Sequence, residues 1–315
     1  MGRVGENAPH EMIDTRPSSH PLTPSPPRPL SFKQGRTYLI AAALLWSLSG
    51  IVIKSPVIQA IPLEDRSLVL ACYRALFAAV GLLPFVAWRR VRLSPRLLPS
   101  VVSFAAMNVL FVNAFTRTTA GAASCLQYTS TAWVFLFGWL VLKEKIHRGN
   151  IVALASAGCG IAWILFSEQD DQHADGNLLA LGSGVAYAGV ILSLRWLRDE
   201  DAAWVTVLNH AASGLVLLPF VLTRSIELTA LQWSLIAFLG VFQMGLPYVL
   251  AARGVALLSV QESALLVMLE PILVPFWAWL CWSEHLGWPT LIGGGLILGG
   301  LAVRYAVWPE RASTP

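Results

Sequence analysis

From Thr37 to Val307 the chain is a succession of apolar stretches about 20 residues long, separated by short polar breaks. A helix of that length covers about 30 Å, the thickness of a bilayer's hydrocarbon core. Inside lipid each backbone N–H and C=O must find its partner within the protein, so stretches of this kind are restricted to spanning helices. Ten are read, at 37–56, 67–88, 97–116, 120–142, 150–167, 177–195, 202–223, 231–252, 258–282 and 287–307. Only 13% of residues are charged and 56% are hydrophobic, with mean hydropathy +0.62. A soluble domain carries roughly 25% charge. The expected fold class is an all-α polytopic membrane protein.

Residues 1–36 hold Pro17, Pro21, Pro24, Pro26, Pro27 and Pro29 among Ser, Thr and Arg, and read as a disordered cytoplasmic tail. They contain no apolar core ending in a cleavage site, so the first span is expected to remain. Residues 308–315 form a second short tail. The net charge of +4 is not gathered into a patch that would bind nucleic acid. Cys72, Cys125, Cys159 and Cys281 each stand alone among apolar residues, which argues against a disulfide framework and a metal site. No GxxxxGK[ST] loop is present, so no nucleotide or other cofactor is expected.

Most of the 22 basic residues fall in the tails and in every second connection, including Arg89, Arg90, Arg92, Arg96, Lys143, Lys145 and Arg148. The alternate connections hold Arg66, Arg117 and Arg224, and the linker 167–176 is acidic. Basic flanks stay on the cytoplasmic side, which places both termini there. The two halves of the chain also repeat. Thr119, Gly138, Glu144 and Gly160 align without a gap on Ser259, Ala278, Glu284 and Gly300. Trp46 and Lys54 align with Tyr187 and Arg195, and the run Leu82–Val86 recurs as Leu217–Val221. Residues 37–167 and 177–307 are therefore two copies of one unit. Each has five spans, an odd number, so the second is inverted relative to the first, the arrangement of many carriers.

The segment Gly254–Val303, with Glu270-Pro271 in the ninth helix, Glu284 after it and a glycine-rich tenth helix, resembles the EamA family of the drug/metabolite transporter superfamily. Trp46, Lys54, Arg74, the stretch Ala114–Thr119 and Glu144 extend the resemblance through the first half. It departs at Thr131, which stands where the family commonly has proline and where the repeat has Pro271. That departure argues against a symmetric bend in the two halves. The resemblance implies a ten-helix carrier of small organic metabolites, often an exporter, with a cavity between the halves.

A charge near the bilayer centre costs roughly 2.5–3.5 kcal/mol on insertion scales, so it is paired or faces water. Glu262 and Glu270 lie on the ninth helix, separated by roughly 80° around its axis at about 100° per residue. Both are candidates for binding a cationic group or taking up a proton, the alternative for Glu270 being a structural tie to Arg74 or to backbone donors. Pro271 and Pro275 have no N–H, which frees the carbonyls of Val267 and Pro271 and bends the helix there. Arg74 is either a ligand for a substrate carboxylate or a structural counter-ion. The neutral Asn209 at the equivalent repeat position favours structure, and Lys54 is expected to snorkel to the headgroups.

Trp46, Asn108, Gln127, Thr131, Tyr187 and Gln243 complete the expected substrate-binding set with the two glutamates. His210 is expected to bridge helices. Gly295 and Gly299, with Ala155 and Cys159, are expected to let the tenth and fifth helices approach closely. Glu144 and Glu284 are read as structural charges capping the fifth and tenth helices. The resulting expectation is a secondary active transporter in a bacterial cytoplasmic membrane, moving amino acids or amines by alternating access with possible coupling to protons. An intramembrane enzyme has no HExxH, GxSxG or paired His and Asp to support it. A non-transporting scaffold or sensor has no use for carboxylates and prolines inside the spans. The oligomeric state and the substrate are open at this level.

Overall fold

The computed structural model describes residues 1–2, 30–140, 143, 148–167, 171–197, 199–255, 257–258 and 260–307. Most of the expected N-terminal tail, Glu144, Ser259, residues 168–170 of the acidic linker and residues 308–315 lie outside the described residues. Among those described, all regular structure is helical. The first half comprises α1 (Leu30–Ser47), α2 (Ser49–Ile53), α3 (Pro56–Gln59), α4 (Leu63–Leu82), α5 (Leu98–Arg117), α6 (Ala120–Gln127), α7 (Ser130–Leu140) and α8 (Arg148–Ser167). The second comprises α9 (Asp171–Trp196), α10 (Ala202–Leu222), α11 (Ala230–Phe238), a π-helical turn at Leu239–Gly245, α12 (Leu246–Val255), α13 (Val260–Val267), α14 (Leu269–Trp282) and α15 (Trp288–Val307).

Nine helices among the described residues are long and apolar enough to cross a membrane. The span expected at 120–142 is present as the shorter pair α6 and α7, interrupted at Tyr128 and Thr129. Helix α1 begins seven residues before the expected first span, because a helix leaving the lipid needs no apolar side chains to continue. Its first turns carry Lys33, Gln34 and Arg36. Several starts are set by side-chain caps. Thr119 accepts from the Ala122 N–H at 3.1 Å, Asp201 from the Trp204 N–H at 2.8 Å, and Thr229 forms a reciprocal capping box with Gln232.

The helix contacts are interchanged when the two halves are interchanged. Helix α5 packs on α9, and correspondingly α12 packs on α1. Helices α6 and α7 pack on α9, and α13 and α14 on α1. Helix α4 packs on the π turn, matched by α10 on α5, while α4 with α10 and α8 with α15 pair across the centre. Each half thus lends its first helix to the other. Large apolar side chains such as Val80, Phe166, Phe220 and Leu222 face outward, where lipid replaces water. Small residues such as Ala71, Ala75 and Ala78 on α4 let neighbouring backbones come close.

The close approach of α8 and α15 uses a different face from the expected one. A Cβ on Gly160 would lie 2.5 Å from the Gly293 carbonyl oxygen, and one on Gly293 would lie 2.6 Å from the Gly160 oxygen. Gly295 and Gly299 have open space beside them, and Ala155 and Cys159 are exposed. The buried stripes run through Ala153, Ala157, Gly160 and Ile164 on one helix and Gly293, Ile297, Gly300 and Arg304 on the other. Arg304, in the last turn of α15, is buried there, donating through Nε to Asn150 Oδ1 beside the Phe135 ring. Gly160→Ala should therefore destabilise the purified protein by about 1–3 kcal/mol through overpacking against backbone, lowering its melting temperature. Gly295→Ala and Gly299→Ala should not lower the melting temperature.

Candidate functional site

The two interrupted helices meet at the centre. Helix α13 gives way to α14 at Met268, three residues before Pro271, and α14 continues through Pro275. The break between α6 and α7 falls at Tyr128, the repeat counterpart of Met268. The two halves are thus interrupted at matching positions although one has Thr131 in place of proline. In the first half Thr129 replaces the proline's effect, since its hydroxyl donates to the Leu126 carbonyl at 2.6 Å and competes with the backbone for that acceptor. Gly184 of α9 presses on this break, with a would-be Cβ 2.9 Å from the Leu126 oxygen. In the other half Gly50 of α2 approaches the Val274 carbonyl of α14, where a Cβ would lie 2.7 Å away.

Proline at 271 leaves the Val267 carbonyl without its helical donor. The Tyr128 hydroxyl supplies one at 3.0 Å, from the other half of the chain. The same hydroxyl oxygen lies 2.9 Å from Glu270 Oε2. Beside this triangle is a cavity of about 50 Å³. It is lined by Trp46, Arg74, Gln127, Tyr128, Tyr187, Gln243, Tyr248 and Glu270, together with Met107, Phe111 and Met244. Trp46 and Tyr187, related by the repeat, therefore face one space. Trp46 also stands edge-on to Tyr248, with centroids 5.4 Å apart. The π turn places Gln243 and Met244 on the wall with Tyr248, and Gln243 Nε2 donates to the Trp46 carbonyl at 3.1 Å. Such turns recur at functional sites because the extra residue redirects side chains.

The cavity brings together Trp46, Gln127, Tyr187, Gln243 and Glu270 of the expected set. Asn108 lies behind the wall and is hydrogen-bonded to Arg74, the Ala71 carbonyl and Ser213. Thr131 is half-buried one turn beyond the break and does not line the cavity. Glu262 sits on α13, and its side chain lies outside the described residues. Tyr128, Arg74 and Tyr248 belong to the site and were absent from the expected substrate-binding set. The freed Val267 carbonyl was the available signal for Tyr128, because a buried acceptor requires a donor. His210 holds the Thr206 carbonyl of its own helix through Nδ1 at 2.8 Å, and it meets neighbouring helices by ring contacts with Phe104 and Tyr248, with no hydrogen bond to them among the described residues.

At the end of the bundle near the linker between the halves, Lys54 does not extend to the headgroups. Its Nζ lies 3.3 Å from Glu284 Oε2 and donates to the Thr118 carbonyl at 2.6 Å. Glu284 Oε1 accepts from the Ala120 N–H at 2.6 Å. Glu284 therefore caps α6, in the other half, and not α15, the helix that follows it in sequence. This clip ties α2, the turn between α5 and α6, and the turn before α15.

The sequence matches the model of the EamA-like transporter family twice, over residues 33–166 and 175–305, and the chain belongs to that family. A transporter from Archaeoglobus fulgidus is 25% identical over 74% of this chain and 84% of its own length. The pseudopaline exporter CntI of Pseudomonas aeruginosa is 27% identical over 65% of this chain and 72% of its own. Human solute carrier family 35 member G1 is 20% identical over 67% of this chain and 62% of its own. One solved crystal structure superposes with a TM-score of 0.62 at 17% identity, covering 89% of this chain and 99% of that one, which is a likeness of fold.

The clip predicts a graded series. Glu284→Gln keeps an acceptor for Ala120 and loses the ion pair, whereas Glu284→Ala loses both. Melting temperatures should fall in the order wild type, Gln, Ala, with about 1–3 kcal/mol between the extremes, the cost of leaving a buried donor unpaired.

Proposed function

We propose that the protein is a secondary active exporter of small organic metabolites, amino acids or amines, working by alternating access and coupled to protons through Glu270. Ten spans arranged as two inverted five-helix repeats would rock about the central cavity. The distribution of Lys and Arg supports a cytoplasmic location for both termini, in the cytoplasmic membrane of a bacterium. The family's transporter function and the exchange of helix contacts between halves support the rocking motion. A cavity of about 50 Å³ holds a few water molecules at most, so a metabolite enters only when the halves separate.

The observation that carries proton coupling is the contact of one hydroxyl with two acceptors. Tyr128 has a single hydroxyl hydrogen, yet its oxygen is within hydrogen-bond distance of both the Val267 carbonyl and Glu270 Oε2. When Glu270 is protonated it donates to Tyr128, which then donates to Val267, and both bonds form. When Glu270 is ionised it takes the Tyr128 hydrogen, and the Val267 carbonyl has no donor. A buried carbonyl left in that state costs about 1–3 kcal/mol. Loss of the proton thus withdraws the donor from the Val267 carbonyl, and a cationic substrate competes with the proton for the same carboxylate. Arg74, Tyr187 and Tyr248 are the other ionisable groups that line the cavity.

The test uses proteoliposomes loaded with a pH-reporting dye and challenged with amino acids, amines and nucleosides, with each responding compound followed by counterflow. Flux should respond to an imposed pH gradient, and Glu270→Gln should retain exchange while losing that response. Flux indifferent to the gradient, or a Glu270→Gln variant with an unchanged pH profile, removes Glu270 as the coupling group. Single cysteines in the linker 171–176 and at residues 1–2 should label from opposite sides of the membrane once the native exposed thiols Cys159 and Cys281 are replaced.

A further inference from the structure

The Arg74 guanidinium has 1% of its surface exposed, lines the central cavity and makes one hydrogen bond, from Nη2 to Asn108 Oδ1 at 2.9 Å. Its Nε and Nη1 have no acceptor. Among the described residues it forms no ion pair, and Glu270 on the same cavity is bonded to Tyr128 instead. A structural counter-ion would be paired with the charge it neutralises, and Arg74 is not. Asn108 is itself saturated: its Oδ1 accepts from Arg74, and its Nδ2 donates to the Ala71 carbonyl at 2.8 Å and to Ser213 Oγ at 3.0 Å. It fixes the guanidinium in place without neutralising it. The repeat counterpart Asn209 gives no ground for a merely structural Arg74, because its Nδ2 bonds Ser100 and its side chain does not line this cavity.

We propose that Arg74 is a substrate-binding residue that receives a carboxylate, so that the cavity selects molecules carrying both an anionic and a cationic group. A buried cation with unsatisfied donors is costly in the absence of an anion, and a bound carboxylate removes that cost with charge-assisted hydrogen bonds. Arg74 then binds the carboxylate and Glu270 the ammonium, with the aromatic rings of Trp46, Tyr187 and Tyr248 around the remainder of the molecule. The substrate class is the zwitterionic α-amino acid. The ammonium half of this assignment rests on the role proposed above for Glu270, whereas the carboxylate half stands on Arg74 alone.

Matched probes separate the two halves. Each of the common L-amino acids is compared with its primary amide, which lacks the carboxylate, and with its N-acetyl derivative, which lacks the ammonium. Thermal stabilisation of purified wild-type protein is the readout. At least one free amino acid should stabilise at roughly tenfold lower concentration than its amide, since a site built for a hydrogen-bonded group rejects the analogue lacking it. Arg74→Gln should bring that ratio to about one while keeping the response to the amide. Asn108→Asp provides a second route should Arg74→Gln fail to fold. It places a resident carboxylate against the guanidinium and should abolish the preference in the same way. Amides equal to acids in the wild type, no response to any probe, or a preference that survives both substitutions would overturn the proposal. N-acetyl derivatives as effective as free amino acids would uphold the carboxylate site at Arg74 and remove Glu270 as the ammonium ligand.

Discussion

A backbone carbonyl inside a membrane cannot turn to water, and the architecture at the centre of this protein follows from that constraint. Pro271 breaks the hydrogen-bond ladder between α13 and α14, and the carbonyl it frees is satisfied by a tyrosine from the other half of the chain. The break between α6 and α7 is satisfied locally, through the Thr129 hydroxyl. Two discontinuous helices can therefore face each other inside the bundle only because each lost bond has a replacement. One replacement belongs to a hydroxyl that also lies within hydrogen-bond distance of the Glu270 carboxyl group.

The same economy of polar groups organises the surroundings. Small residues let α4, α8 and α15 approach their neighbours closely, and glycines at the two breaks admit the helix lent by the opposite half. The polar side chains bond backbone atoms or one another across the bundle. Lys54, Glu284 and the start of α6 form a clip at one end, and Asn108, Ser213 and Arg74 form a buried cluster beside the cavity. Arg74 departs from this pattern, being buried, charged and left with open donors.

Much of the site was legible from residue chemistry. Trp46, Gln127, Tyr187, Gln243 and Glu270 are polar or aromatic residues inside spans, and all five line the cavity. Asn108 has the same chemistry and lies behind the wall, so residue type alone does not separate a cavity group from one that positions it. Thr131 stands where the repeat has proline, yet the helix is interrupted in this half as well, at Tyr128 and Thr129, where the Thr129 hydroxyl bonds the Leu126 carbonyl. Glu284 was read as the cap of the helix that follows it and instead caps α6, because the nearest exposed N–H groups in space belong to a helix far away in sequence.

Segment lengths, the repeat and the position of Pro271 were enough to set the helical class, the duplicated organisation and a weak point in the ninth span. Each follows from local chemistry: the thickness of a bilayer, the backbone's need for internal bonds and the missing N–H of proline. Folding in three dimensions decided which side of each helix faces a neighbour, the cavity or lipid. In a soluble protein an alternation of polar and apolar residues would have revealed it, but here both the interior and the solvent are apolar and the helices carry little such contrast. That is why the glycine face joining α8 to α15, the partner of Glu284 and the open donors of Arg74 became visible only once the halves were packed together.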